Sequence, residues 1–154
     1  MKFSTREDIE APIEFVYQQV ADFDGLEKQA LRRGYALERV EAGDAQGLGT
    51  AWSARVPFRG KTRELKARIS DVAAPTGYCI QSQSGGLGMD FEVELVALSR
   101  NRTRVVIGLE VRPNTLSSRL LVQSMKFAKS NLQKRFSRRV ADFAVEIGDR
   151  YTRV

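Results

Sequence analysis

The sequence predicts an α+β fold in which an antiparallel sheet of about seven strands carries one long C-terminal helix, with two short helices after the first strand. Three observations predict it. Apolar residues recur at steps of three and four from about Thr115 to Gly148, the spacing of one face of a helix. Between Tyr35 and Asn114 apolar and polar residues alternate with period two, as in antiparallel strands with one face in water. A chain of 154 residues is long enough for one well-buried core and too short for two ordinary domains, so residues 1–154 are read as a single domain.

Phe3, Thr5, Glu7 and Ile9 alternate with Lys2, Ser4, Arg6 and Asp8, which gives a first strand stopped by Ala11-Pro12. Pro12 suits the first turn of a helix, where its missing N–H has no partner to lose, and Ile13, Val16, Tyr17 and Val20 continue at helical spacing. A second short helical piece is expected in Asp22 to Gly34, broken near Asp24-Gly25 and closed by Arg32, Arg33 and Gly34, because cations and glycine suit a helix C-terminus.

From Tyr35 the period is two. Ala36 to Val40 is a short strand, ended by the Gly43-to-Gly49 loop. Trp52, Ala54, Val56 and Phe58 share one face of the next strand, opposite Ser53 and Arg55, and Arg59-Gly60-Lys61 is a turn. Leu65, Ala67 and Ile69 then face inward until Ala74-Pro75-Thr76-Gly77 ends the strand, those residue types being turn formers. Tyr78, Ile80 and Ser82 line the following strand, and Gly85 to Gly88 turn the chain. Met89, Phe91, Val93 and Leu95 face inward against Asp90, Glu92 and Glu94, and the last strand offers Val105, Ile107, Leu109 and Val111. The helical stripe is Leu121, Met125, Ala128, Leu132, Phe136, Val140, Phe143 and Ile147, with Lys126, Lys129, Lys134, Arg138 and Arg139 on the opposite face. At about 1.5 Å per residue such a helix is long enough to close the whole open side of the sheet.

Composition excludes several chemistries. With no histidine and one cysteine, the chain has no zinc finger, no zinc-hydrolase site, no Ser-His-Asp triad and no Cys-His pair. No metal site and no cofactor is expected, since the glycines lack the phosphate-loop and dinucleotide spacings. Cys79 cannot form an internal disulfide, which fits a reducing compartment, and no cation or histidine beside it in sequence would activate its thiol. Met1 to Ala11 lacks the apolar core of a secretory signal, and no apolar run approaches the roughly 18 residues of a membrane span. The expected location is the cytoplasm of a bacterial-type cell, or a membrane surface facing it.

The order of strand, two short helices, six consecutive strands and a long helix resembles the START-like superfamily. That superfamily, also called SRPBCC or helix-grip, includes polyketide cyclases, coenzyme-Q-binding proteins and the birch-pollen-allergen group. The resemblance covers the whole chain and is carried by Ile9-Glu10-Ala11-Pro12-Ile13-Glu14-Phe15-Val16-Tyr17, by Gly49-Thr50-Ala51-Trp52, and by Tyr78-Cys79-Ile80-Gln81-Ser82 with the glycine turn after it. It implies a curved antiparallel sheet wrapped around the C-terminal helix, with a cavity between them for an apolar ligand.

The inward positions then become the candidate ligand-binding residues: Trp52, Ala54, Val56, Leu65, Ala67, Ile69, Tyr78, Ile80, Ser82, Met89, Phe91, Val93, Ile107, Leu109, Leu121, Met125, Ala128 and Leu132. Small side chains among them, such as Ala54, Ala67, Ser82 and Ala128, leave space for the cavity that the resemblance implies; the competing reading is that large neighbours such as Trp52, Tyr78, Phe91 and Phe127 fill it. No catalytic residue is assigned. Two functions stay open: a non-catalytic protein that binds and transports a hydrophobic small molecule or lipid, quinone-, isoprenoid- or polyketide-like, and a polyketide cyclase or aromatase-like enzyme acting in the same cavity. The net charge of +6 and the basic helix face point to a peripheral contact with anionic membrane as a second partner. Nucleic acid is disfavoured, because no recognition-helix motif or interleaved aromatics accompany the basic residues. The oligomeric state is left open.

Overall fold

A computed structural model describes all of residues 1–154. The elements run β1 (Lys2–Ile9), α1 (Ile13–Val20), α2 (Phe23–Arg32), β2 (Ala36–Glu41), β3 (Ala51–Phe58), β4 (Lys61–Ala73), β5 (Gly77–Ser84), β6 (Leu87–Ser99), β7 (Arg102–Pro113), α3 (Leu116–Lys126) and α4 (Lys129–Thr152). The seven strands form one sheet in the order β1-β7-β6-β5-β4-β3-β2, antiparallel at every pairing. The expected class, strand count and pair of short helices are all present.

Register explains which face is dry. Between β6 and β7, Met89 pairs with Val111, Phe91 with Leu109, Val93 with Ile107 and Leu95 with Val105. Side chains alternate faces along a strand, so these apolar pairs share one face. Asp90 with Glu110 and Glu92 with Gly108 occupy the other. In β4 a bulge between Ile69 and Asp71 shifts the pairing with β5, and the extra residue lets Val72, opposite Tyr78, rejoin the inner face after Ile69.

Two apolar clusters form the core. The larger joins Ile9, Val16 and Val20 to Tyr78, Val93, Leu95, Val105 and Ile107 of the sheet and to Val140, Ala144 and Ile147 of α4. The smaller joins Phe3, Leu87 and Val111 to Val122 of α3. Thr103, fully buried, is satisfied by donating its hydroxyl to the Ala11 carbonyl at 2.8 Å.

Two expectations are corrected. The helix expected from Thr115 to Gly148 is two helices, separated at Phe127 and Ala128. A straight rod of that length would run about 50 Å, longer than the face it has to cover. The break lets α3 turn Val122 onto the β1–β7–β6 end of the sheet while α4 packs along β1. Thr115 opens α3 with a capping box: its side chain accepts from the Ser118 amide, and the Ser118 hydroxyl accepts from the Thr115 amide, satisfying two N–H groups that lack helical partners. Phe127, expected to fill the interior, is 94% exposed.

The second correction concerns α2, which runs unbroken through Gly25. Asp22 is its N-cap and accepts from the Gly25 amide at 3.1 Å. A Cβ at Gly25 would stand 2.2 Å from that carboxylate, so the glycine permits the cap instead of interrupting the helix.

Ile147 is 0% exposed at the junction of α4 with the sheet. Ile147→Ala should cost about 2–5 kcal/mol of unfolding free energy through lost burial and the cavity left behind, read from the urea midpoint at unchanged denaturant slope.

Candidate functional site

The helix layer does not cover the sheet evenly. α4 follows β1, α1 packs against β6 and β7, α3 packs on β7 and α2 on β2, which leaves β3 and β4 with little helix against them. There Ala54, Val56 and Phe58 of β3 and Leu65 of β4 face across to Met125 of α3 and to Leu132 and Phe136 of α4. Leu109 and Val111 of β7 and Leu87 and Met89 of β6 form the floor with Phe3, while Ala30, Tyr35 and Leu37 close the α2 side. The space between them is about 580 Å³ and opens to solvent, within the usual range for small-molecule pockets of about 300–1,000 Å³.

Fifteen of the eighteen lining residues are hydrophobic, so polar atoms are few. Pro57, Arg63 and Ser84 complete the wall, and Tyr35 adds a phenol. The Ser84 hydroxyl donates to the Glu64 carbonyl at 2.7 Å. Arg63 donates from Nε to the Phe58 carbonyl at 3.4 Å and lies over the Phe58 ring, 5.7 Å from its centre. No carboxylate, lysine or cysteine lines this cavity. General acid–base catalysis needs a positioned group that exchanges protons near the working pH, and the wall supplies none of the usual carboxylate or amine donors.

A second, amphipathic cavity of about 890 Å³ lies between α2 and α4. Tyr78, Phe91, Val93 and Ile107 form its floor, and Arg33, Arg135, Arg138, Arg139, Asp142 and Glu146 its rim. Phe136 borders both cavities.

The two aromatic residues with polar atoms that the sequence singled out have internal partners. The Tyr78 hydroxyl donates to the Val20 carbonyl at 2.7 Å, which ties α1 to β5. Trp52 donates from Nε1 to Glu27 at 3.2 Å, and Arg39 binds the same carboxylate from Nε at 2.9 Å while its ring-facing guanidinium sits 5.8 Å from the Trp52 ring. Phe23 packs between them, 5.0 Å from Tyr78 and 6.3 Å from Trp52. Together these contacts clamp α2 to β2, β3 and β5. Burial, with a smaller contribution from Tyr17, pushes the Tyr78 phenol well above its ordinary value. Burial foremost, then Glu92, Asp71 and Asp90, pushes the Cys79 thiol up, the direction of an unreactive cysteine.

Of the eighteen candidate residues, Ala54, Val56, Leu65, Met89, Leu109, Met125 and Leu132 line the apolar cavity together. Tyr78, Phe91, Val93 and Ile107 lie on the floor of the second cavity. Trp52, Ala67 and Ser82 border a polar groove with Lys66, Arg68, Gln81 and Asp90. Ile69 is fully buried, Ile80 packs on the larger core cluster, Leu121 on the smaller, and Ala128 is the N-cap of α4. Sequence parity had marked Phe58, Val111 and Phe136 as inward without naming them as ligand contacts. Ala30, Tyr35 and Leu37 reach the cavity because α2 folds back over the β2 edge, which no periodicity signals.

No protein-family model and no curated protein matches this sequence. Solved structures do. The Zhui aromatase/cyclase of a Streptomyces species superposes with a TM-score of 0.72 at 13% identity, over 98% of this chain and 95% of that one. This chain has the START-like, helix-grip fold. Norcoclaurine synthase from Thalictrum flavum, a point mutant in complex with a transition-state analogue, matches this chain at TM-score 0.66 and 15% identity, over 99% and 96% of the two chains. A START superfamily protein from Mycobacterium smegmatis matches at 0.57 and 13%, over 87% and 95%. The apolar cavity lies between the sheet of this fold and its C-terminal helices.

Tyr78→Phe leaves the buried Val20 carbonyl without its donor and should cost about 1–3 kcal/mol near neutral pH. Because the folded-state pKa is raised, the Tyr78 contribution is fully present below the unfolded value near 10 and is lost as pH rises towards the folded value. Denaturation series should therefore show the gap between wild type and Tyr78→Phe narrowing above about pH 10.

Proposed function

We propose that this chain is a non-catalytic carrier that binds a hydrophobic small molecule or lipid in the apolar cavity. The observation that carries this reading is the wall itself: fifteen hydrophobic residues of eighteen, and no carboxylate, lysine or cysteine. Such a wall binds by removing apolar surface from water, worth about 25 cal/mol per Å², and orients its ligand only through Tyr35, Arg63 and Ser84. At about 30 Å³ per small group in a liquid-like fill, 580 Å³ accommodates roughly 20 non-hydrogen atoms. That suits a quinone ring with a short tail, a small isoprenoid or an aromatic polyketide. A longer chain would have to pass Phe136 into the second cavity. Loading and release are assigned to the cytoplasmic face of an anionic membrane, in keeping with the net charge of +6.

The second reading is a cyclase or aromatase-like enzyme, favoured by the superposition on the aromatase/cyclase. In it Tyr35, Arg63 and Ser84 are polar guides, and the cavity acts by holding a flexible chain in a reactive conformation.

Native mass spectrometry of the purified chain, with organic extraction of the same preparation, should reveal a copurified or added quinone, isoprenoid or polyketide at one per chain. Val56→Trp, which puts an indole into the cavity, should weaken that binding about tenfold, or about 1.4 kcal/mol. A preparation that is empty and takes up none of these compounds would falsify the carrier. Conversion of an added poly-β-ketone by wild type, lost in Arg63→Met, would favour the enzyme.

A further inference from the structure

Helix α3 has two apolar faces, and the fold uses one. Ser118, Val122 and Met125 are buried. On the far side Leu116 is 76% exposed, Leu120 63% and Phe127 94%. At about 100° per residue these three fall within about 40° of one another, directly opposite the buried stripe. Phe127 keeps helical torsions (φ −67°, ψ −27°), so it continues the same ridge. Nothing in the chain covers it.

The surroundings of the ridge are basic. From Val111 to Ala141 the chain has no aspartate or glutamate and eight lysines and arginines. Arg119 and Lys126 flank the ridge on the helix itself, and Lys129 opens α4. The β3–β4 turn brings Arg59 alongside, where its guanidinium donates to the Ser124 hydroxyl on α3. Helices that lie in a membrane interface combine such an apolar strip with lysine and arginine beside it.

We propose that the outer ridge of α3 docks the protein on an anionic bilayer, with Leu116, Leu120 and Phe127 entering the headgroup region and the flanking cations meeting lipid phosphates. A second copy of the chain fits less well: a two-fold contact would set each cationic flank against its own twin. Three side chains also fall far short of the roughly 800 Å² per partner of a stable protein interface, whereas insertion into lipid needs no shape-complementary partner. The inner face of the same helix supplies Met125 to the apolar cavity, and Phe58 and Leu132 stand beside it there. Docking therefore brings one wall of the cavity to the membrane surface. The use of this contact for ligand transfer rests on the carrier function proposed above; the docking itself does not.

The test is sedimentation of the full chain with phosphatidylglycerol-containing vesicles and with pure phosphatidylcholine vesicles. Binding is expected to the first, to weaken as salt rises, and to fall about tenfold in the double variant Leu120→Ser, Phe127→Ser. Both residues are exposed, so the variant should keep the wild-type melting temperature and its uptake of cavity ligand, while Val56→Trp should keep vesicle binding. In Phe127→Trp, indole emission should shift to the blue when phosphatidylglycerol vesicles are added. No binding to either vesicle, equal binding by the double variant, or unshifted emission would each overturn the proposal. So would light scattering that shows a wild-type dimer made monomeric by the double variant, since the ridge would then belong to a second copy.

Discussion

A sheet is wide and a helix is narrow, and most of this molecule follows from that mismatch. Seven strands at about 4.8 Å spacing span roughly 29 Å, whereas one helix with its side chains covers about 10–12 Å. The sheet has an apolar inner face along its whole width, yet α4 can lie along only one side of it and packs on β1. The tight core accordingly gathers where α4 and α1 meet β5, β6, β7 and β1, with Val16 and Ile147 fully buried. At β3 and β4 the inner face is left facing a gap, and that gap is the cavity. Edge strand β2, with only Leu37 even half-buried, meets α2 and not the long C-terminal helix.

A set of directional bonds fixes the short helices beside the gap. Tyr78 to Val20, Trp52 to Glu27 and Arg39 to Glu27 and Asp24 hold α1 and α2 at a set distance from the sheet. Hydrogen bonds have a narrow range of length and angle, while apolar contact alone would draw the helices inward until the space was filled. Tyr78 and Trp52 thus serve as ties between helix and sheet and are not part of the apolar wall. Filling the cavity costs nothing in polar partners, because the wall exposes almost none.

The break at Phe127 and Ala128 follows from the same mismatch. Two shorter helices reach two parts of the sheet that one rod could not, and the junction leaves Phe127 with no interior position to occupy. Its outward place beside Leu116 and Leu120 gives α3 a surface unlike the charged outer side of α4, where Lys134, Arg135, Arg138 and Arg139 carry no apolar ridge of comparable exposure. Basic charge alone, read along the C-terminal quarter, pointed to a membrane; the exposed apolar residues are what single out α3 for the proposed contact.

Period-two alternation, one helical stripe and well-placed turn residues were enough to state the fold class, the seven strands and their inward faces, because those features depend on neighbours two to four positions apart. Ala54, Val56, Leu65, Met89 and Leu109 were legible as inward for that reason. Which inward residues meet solvent-sized space and which are packed solid was not legible. Ile69 and Val56 have the same parity signal, yet one is fully buried in the core and the other lines the cavity. That difference is set by where the helices come to rest across the sheet, and so are the roles of Tyr78 and Trp52 as ties and the reach of Ala30, Tyr35 and Leu37 into the cavity. Local sequence determined the elements and their faces; the tertiary structure decided where those faces meet and where they leave a gap, because packing depends on distances between residues far apart in the chain.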